Sequence, residues 1–309
     1  MSRIRRSIIA LACFLPVAGC STISTNQAET TTVEALESST TTTSRPFSGS
    51  PSSLVIPEGY SSIMTNDGRT RTYRVVDVSN GEDEIPLVLV LHGFGGSAAA
   101  VRAYSGIESA LAATGTDAVV VYPDGTGVET GSPRSWNAGG CCPFAMFEAV
   151  DDVSFLSKLI DVIEVDYSID PDQVWVVGHS NGGMMAYRLA CELSDKISAI
   201  GVAAGALMLE SCMPSRAVDV LHLHGELDTV VPSNGGDVLG ISFPSARQSA
   251  ERYAVAADCS PTASNTASFV EFGCGKATVS LVIDPKWTHD WQPDWSRRFI
   301  EFFAKTSRN

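Results

Sequence analysis

The stretch Val176-Val177-Gly178-His179-Ser180-Asn181-Gly182-Gly183 indicates how this chain folds. It contains the pattern Gly-x-Ser-x-Gly and lies between a valine-rich run, Val174–Val177, and a helical pattern, Gly182–Leu193. A serine on such a sharp strand-to-helix turn takes a strained backbone conformation, and small flanking residues let neighbouring segments approach closely. The pattern therefore predicts a nucleophile at Ser180. The alternative is a serine that only caps the following helix.

Apolar runs of the same kind recur on both sides of this turn, and helical patterns separate them. Runs that are short, rich in valine and bounded by turn residues are typical of buried strands in a parallel sheet. The predicted strands are Leu87–Leu91, Ala118–Tyr122, Val174–Val177, Ala199–Ala203, Val218–Leu223 and Val279–Ile283. The predicted helices are Ala98–Thr114, Val150–Val165, Gly182–Leu193, Pro244–Ala256 and Pro293–Lys305. This alternation predicts an α/β fold with a mainly parallel central sheet and helices on both faces. Thr70–Val78, where polar and apolar residues alternate, is predicted to form an antiparallel edge strand.

A serine nucleophile needs a base within hydrogen-bonding reach and an acid that orients the base. After a strand-to-helix serine of this type, the acid and then the histidine follow in chain order, which leaves His289 as the base. The acid should follow a strand, and Asp228 is the best placed carboxylate, with Glu226 as its rival. We interpret His222 and His224 as packing residues, since no third ligand is spaced to complete a metal site with them.

Backbone N–H groups aimed at the substrate's developing oxyanion should accompany the nucleophile. One is expected from Asn181, directly after the serine, and the other from Phe94 in the glycine-rich turn Leu91-His92-Gly93-Phe94-Gly95-Gly96. A phosphate-binding loop is the alternative for these glycines, but the lysine and Ser/Thr of that motif are absent. Trp136 and Trp291 are candidates for lining an aromatic or hydrophobic substrate site, with simple packing as the alternative.

The first 53 residues resemble an export and anchoring segment. Arginines at positions 3, 5 and 6 precede a short apolar run and the sequence Val17-Ala18-Gly19-Cys20, which predicts a lipoprotein signal peptide over 1–19 with the lipid on Cys20. Of the 33 residues from 21 to 53, 18 are Ser or Thr, a composition that cannot bury a core. We therefore predict a disordered tether over 20–53 and a single catalytic domain over 54–309. The domain would then lie in the cell envelope, outside the cytoplasm.

Charge and cysteine usage limit the possible partners. The formal net charge is −14, and cleavage after residue 19 would remove three arginines and no acids, so nucleic acid is an unlikely partner. Six cysteines remain after the signal peptide and Cys20, an even number that predicts disulfides in an exported protein. We predict only Cys259 and Cys274 as a pair, because that bond would close an exposed loop. Neither the cysteines nor the histidines are spaced like a metal site, and no cofactor is predicted.

Several segments together resemble the polyhydroxybutyrate depolymerase and feruloyl esterase-type esterases of the α/β-hydrolase superfamily, some of which are bacterial lipoproteins. The resemblance covers most of residues 85–305. It is carried by Leu91–Gly96, Tyr122-Pro123-Asp124-Gly125, Trp136-Asn137-Ala138-Gly139-Gly140-Cys141-Cys142, Val150-Asp151-Asp152-Val153, Gly178–Cys191 and His224-Gly225-Glu226-Leu227-Asp228. By this resemblance the catalytic triad is Ser180, Asp228 and His289.

The resemblance implies a carboxylic ester hydrolase that works through an acyl-enzyme on feruloyl, acetyl or hydroxyalkanoate esters. The chain departs from the family at Lys286-Trp287-Thr288-His289-Asp290-Trp291-Gln292, where the family has a glycine-rich run before the histidine and Trp-Pro soon after it. This departure bears on the shape of the substrate pocket. A serine peptidase, and an envelope lipoprotein that keeps the fold without catalysis, remain as alternatives.

Overall fold

The computed structural model describes residues 58–81, 84–128, 132–262 and 265–306. The chain divides into two units, 1–53 and 54–309, and all of the described residues belong to the second. The predicted signal peptide, Cys20 and the Ser/Thr-rich tether lie outside the described residues. None of the helices in the described ranges is long and apolar enough to cross a membrane.

A ten-stranded sheet forms the centre of the second unit, and a separate hairpin adds two short strands. The strands are β1 Ser61–Met64, β2 Thr70–Asp77, β3 Ile85–Leu91, β4 Val119–Pro123, β5 Ile169–His179, β6 Ala199–Ala203, β7 Asp219–Gly225, β8 Gly236–Val238, β9 Ile241–Phe243, β10 Ser260–Pro261, β11 Phe269–Cys274 and β12 Ala277–Asp284. The sheet order is β1-β2-β4-β3-β5-β6-β7-β12-β11-β10, and β8 pairs with β9. The six strands from β4 to β12 in this order are parallel, and the outer pairs are antiparallel. The mainly parallel sheet predicted from the sequence is thereby confirmed.

Six helices cover the two faces of the sheet. They are α1 Ala98–Ser105, α2 Ile107–Thr114, α3 Asp152–Asp166, α4 Asn181–Glu192, α5 Ala246–Ala256 and α6 Trp295–Thr306. Buried side chains of α3, α4 and α5 join one apolar core, and those of α1, α2 and α6 join another. Strand β3 shows why both are needed, because Leu87, Leu89 and Leu91 enter the first core while Val88 and Val90 enter the second. A strand buried on both faces has no alternating pattern, which matches its continuous apolar sequence.

Two predicted elements are corrected by the structure. The helix predicted over Ala98–Thr114 is two helices, because Gly106 takes a left-handed conformation with φ 67° and ends α1 before α2 begins. The predicted edge strand, Thr70–Val78, is antiparallel as expected but is not at the edge, since β1 pairs along its outer side. Strand β11, which pairs with β12, and the short strands β1 and β8 to β10 were not predicted from the sequence.

Three disulfides lie within the second unit. Cys259 and Cys274, the pair predicted from the sequence, are bonded to each other and close the segment before and along β11. Cys191 at the end of α4 is bonded to Cys212, and Cys141 is bonded to its neighbour Cys142. The sequence left the partners of these last four cysteines open.

Candidate active site

Ser180 stands at the tight turn between β5 and α4. Its φ of 54° lies in the left-handed region, which is rare and strained for a residue other than glycine. The turn requires glycine at position 182, because a Cβ there would lie 2.3 Å from the carbonyl oxygen of Leu91 in β3. This is the strand-to-helix setting that the Gly-x-Ser-x-Gly pattern predicts.

His289 and Asp228 form a hydrogen-bonded row with this serine. His289 Nε2 lies 3.0 Å from Ser180 Oγ, and His289 Nδ1 lies 2.8 Å from Asp228 Oδ2. Asp228 follows β7 and His289 follows β12, so the carboxyl ends of three parallel strands bring the residues together. Glu226, the rival acid, is exposed to solvent, whereas Asp228 is buried. The geometry favours Asp228 as the acid that orients His289.

The carboxylate of Asp228 accepts three hydrogen bonds and lies close to a fourth nitrogen. Its Oδ1 accepts from the backbone N–H groups of Val230 at 2.9 Å and Val231 at 2.8 Å. Its Oδ2 faces His289 Nδ1 and also His224 Nε2, which is 3.3 Å away. Burial opposes ionisation of this group, but the hydrogen bonds from His224 and His289 and the backbone bond from Val231 together hold the pKa of Asp228 well below its usual value. Asp228 is therefore ionised at neutral pH, as a residue that stabilises an imidazolium must be.

The glycine-rich turn after β3 lies against the nucleophile. A Cβ at Gly93 would be 3.3 Å from the Cβ of Ser180, so the turn that contains Phe94 approaches the serine closely. Asn181 begins α4, and backbone N–H groups in the first turn of a helix have no partner within the helix. The side chain of Asn181 instead fixes a neighbouring loop: it accepts from the backbone N–H of Trp136 at 2.8 Å and donates to the Cys141 carbonyl at 3.4 Å. Phe94 and Asn181 remain predicted oxyanion donors.

The two candidate tryptophans occupy different environments. Trp136 has no exposed surface, and its Nε1 donates to the carbonyl of His92 at 2.9 Å. This burial argues against the predicted substrate contact of Trp136, because its ring is fully enclosed beneath the turn after β3. Trp291, two residues after His289 in sequence, is half-buried. Its ring lies 5.9 Å from that of His179. Of the two, only Trp291 has exposed surface beside the row.

A further residue beside the row is His179, to which the sequence pattern assigned no role. His179 Nε2 lies 2.8 Å from the backbone carbonyl of His289, to which it donates, and its Nδ1 lies 3.1 Å from the hydroxyl of Tyr104. Burial lowers the pKa of His179 to about 4, so the ring is neutral near pH 7 and keeps one N–H for this bond. His179 thus holds the backbone of the loop that carries His289. No signal in the sequence identifies this contact, because it joins residues 110 positions apart.

A cleft lies beside the row without including it. Its volume is about 890 Å³, and its lining includes Cys141, Cys142, Leu207 and Met208. Ser180, Asp228 and His289 are not among the lining residues, but Cys141 accepts the hydrogen bond from Asn181 described above. The cleft therefore adjoins Asn181, the residue that follows Ser180, and does not contain the hydrogen-bonded row.

The α/β-hydrolase fold is defined by a mainly parallel sheet between helices, with a serine on a strand-to-helix turn and an acid and a histidine after later strands. This chain has that arrangement, with the serine on the β5–α4 turn. Solved structures of known enzymes share it. The acetyl xylan esterase from Aspergillus awamori superposes with a TM-score of 0.59 at 14% identity, covering 79% of this chain and 98% of that one. The ferulic acid esterase of Anaeromyces mucronatus superposes with a TM-score of 0.54 at 17% identity, covering 81% and 91%. The fold predicted from the sequence is confirmed.

Sequence comparisons point to esterases over part of the chain. A family profile described as Phospholipase/Carboxylesterase matches residues 149–245. The putative esterase NocK of Nocardia uniformis subsp. tsuyamanensis is 33% identical over 54% of this chain and 48% of its own length. Feruloyl esterase B of Piromyces equi is 34% identical over 50% of this chain and 28% of its own length. The chain thus spans about half or less of the length of these curated relatives.

Proposed function

We propose that this protein is a serine-dependent carboxylic ester hydrolase that works through an acyl-enzyme. The observation that carries the proposal is the row from Ser180 Oγ through the His289 ring to Asp228, with heavy-atom distances of 3.0 and 2.8 Å. At these distances a proton can pass from Ser180 Oγ to His289 Nε2. The hydrogen bond to Asp228 holds the imidazole in the tautomer that leaves Nε2 free to accept that proton. The esterase names of the relatives support the same reaction class.

The residues divide the reaction between them. His289 Nε2 takes the proton of Ser180 as the hydroxyl attacks the ester carbonyl, and the backbone N–H groups of Asn181 and Phe94 stabilise the oxyanion. His289 then gives the proton to the leaving alcohol, and the acyl group stays on Ser180. A water molecule, deprotonated by His289, attacks the acyl-enzyme and releases the acid. Asp228 stays ionised throughout and stabilises the imidazolium.

For the substrate we propose feruloyl, acetyl or hydroxyalkanoate esters. Relatives named as feruloyl esterase and as a bifunctional acetylxylan esterase/xylanase support the first two classes. The sequence resemblance to polyhydroxybutyrate depolymerases supports the third. We place the part of the substrate remote from the scissile bond in the cleft lined by Leu207 and Met208, because it adjoins Asn181 and is bounded mainly by apolar side chains.

The test compares Ser180→Ala with the parent chain on p-nitrophenyl acetate, methyl ferulate, acetylated xylan and hydroxybutyrate oligomers. Loss of the nucleophile should lower kcat by at least about 10⁴-fold on every ester that the parent hydrolyses. Ser109→Ala, an exposed serine on α2, is the matched control and should keep parental activity. Turnover by folded Ser180→Ala would contradict the mechanism. The ranking of kcat/KM across the panel selects the substrate class.

We also propose that the protein is exported and carries a lipid on Cys20, which attaches it to a membrane of the cell envelope. The three disulfides support an oxidising location. Cys20→Ser should move the protein from the detergent phase to the aqueous phase in a detergent partition experiment on whole-cell extract. Unchanged partitioning would refute the anchor and leave the catalytic proposal intact.

A further inference from the structure

We propose that His224 is a positioning residue for Asp228, at the end of a buried hydrogen-bonded chain that runs from Tyr187 through His222. This inference rests on the proposed function, since it concerns how the triad acid is held. The chain joins α4, which begins at the nucleophile, to β7, which ends before the acid. It therefore connects two of the three triad-bearing segments through the interior.

The distances along the chain are those of ordinary hydrogen bonds. The Tyr187 hydroxyl lies 3.0 Å from His222 Nδ1, and His222 Nε2 lies 3.0 Å from His224 Nδ1. His224 Nε2 then lies 2.8 Å from the carbonyl of Val231 and 3.3 Å from Asp228 Oδ2. Tyr187, His222 and His224 have no exposed surface, so water does not compete for these bonds.

The two acceptors beside His224, at the end of the chain next to Asp228, determine which of its ring nitrogens carries a hydrogen. A backbone carbonyl and an ionised carboxylate can only accept, so His224 Nε2 must carry a hydrogen. Farther from Asp228, His222 Nε2 faces His224 Nδ1 and the hydroxyl of Tyr187 faces His222 Nδ1, so every ring nitrogen of the chain has a hydrogen-bond partner.

Burial keeps the middle of the chain neutral. The pKa of His222 lies well below its ordinary value, first because of desolvation and then because His224 is adjacent. The titratable groups that face the chain are Asp228 at one end and Tyr253, whose ring lies 6.2 Å from that of Tyr187, at the other. His289 is the further group on Asp228 itself. The chain thus brings the Nε2 of a fully buried ring to within 3.3 Å of the carboxylate.

The consequence is a fixed orientation of the acid. Val230 and Val231 hold Oδ1, while Oδ2 has the two rings of His289 and His224. Without His224, Oδ2 would be held only by His289, the group that it is meant to orient. We therefore assign His224 the task of keeping Asp228 Oδ2 in line with His289 Nδ1 independently of the protonation of His289.

The experiment compares His224→Phe, which removes the donor, with His224→Gln, whose amide N–H reaches toward the same acceptors. His224→Phe should lower kcat on p-nitrophenyl acetate about tenfold or more, the range for a hydrogen bond to a charged group, with KM within about twofold. His224→Gln should recover most of kcat. In ¹H NMR, the downfield resonance of the His289 Nδ1 proton should shift in His224→Phe and return toward its parental position in His224→Gln.

Tyr187→Phe is the control at the far end, since it disturbs the same core without touching Asp228, and its kcat should stay within about threefold. If His224→Phe does not fold, His224→Asn takes its place, because its amide is too short to reach the carboxylate. Equal losses in the Phe (or Asn) and Gln variants with an unmoved proton resonance would overturn the proposal. If the parent hydrolyses no ester, the proposed function fails instead, and the resonance alone then tests the positioning.

Discussion

Asp228→Asn tests the site more sharply than removal of the side chain, because the structure dictates which way the amide must face. Oδ1 accepts from the backbone N–H groups of Val230 and Val231 at 2.9 and 2.8 Å. An NH₂ group there would meet two donors, so the amide oxygen must keep that place. The NH₂ group is then forced into the Oδ2 position, 2.8 Å from His289 Nδ1.

An amide in that orientation reverses the tautomer of the base. The NH₂ group donates to His289 Nδ1, so the ring hydrogen moves to Nε2, the atom that must take the proton of Ser180. Loss of the correct tautomer costs a serine triad about 10⁴-fold in kcat. The same NH₂ group would also face the N–H of His224, 3.3 Å away, which adds a cost in stability.

The assay is the initial rate of p-nitrophenyl acetate hydrolysis, with urea unfolding to check that the variant is folded. Glu226→Gln is the matched control, because it makes the same chemical change on an exposed carboxylate two residues away and should keep its rate within about twofold. A loss of less than tenfold in folded Asp228→Asn would refute the assignment of Asp228. A large loss in Glu226→Gln would transfer the role to its rival.

Two further predictions concern packing and pH. Gly182→Ala should abolish activity or folding, because its methyl group would overlap the backbone of β3. In the control Gly273→Ala, where nothing lies within 4 Å of the new methyl group, the free energy of unfolding in urea should change by less than about 1 kcal/mol. An active, stable Gly182→Ala enzyme would contradict the geometry. Burial lowers the pKa values of His92 and His179 to about 4, below the 6.5 expected when unfolded, so the unfolded chain binds more protons between these values and stability must fall as pH falls from 6.5 toward 4. Each histidine should contribute a slope of about 1.4 kcal/mol per pH unit near the middle of that interval, and unfolding free energies that are flat from pH 6.5 to 4.5 would refute the burial argument.

The central strands and the strand-to-helix turn at Ser180 could be predicted because both have local sequence patterns. A strand such as β3 is apolar at every position since both of its faces are covered, and the Gly-x-Ser-x-Gly pattern marks the turn, where a Cβ at Gly182 would meet the backbone of Leu91 and His92. The break at Gly106 was not predicted, since apolar positions continue on both sides of it and mask one left-handed residue. The strands β8 and β9 are three residues each, too short to show a period.

The partners of the site could not be predicted for a different reason. His224 was assigned to packing because its spacing from His222 revealed a shared face but not what that face meets. Trp136 was considered for the substrate site because sequence alone does not distinguish an exposed indole from a fully buried one, and the structure encloses it. These assignments depend on contacts between distant segments, which local sequence patterns do not contain.

Different contacts fix each of the three residues in the row. Ser180 is fixed by its own strained turn, and Asp228 by backbone N–H groups at one oxygen. His289 lies in a loop after β12, and that loop is tied down twice: His179, the neighbour of the nucleophile, donates to the His289 carbonyl, and the N–H of Leu227, the neighbour of the acid, donates to Trp287 at 3.1 Å. The base is therefore held by residues adjacent to its two partners. The three segments that carry the row are thus joined to one another by backbone contacts as well as by the row itself.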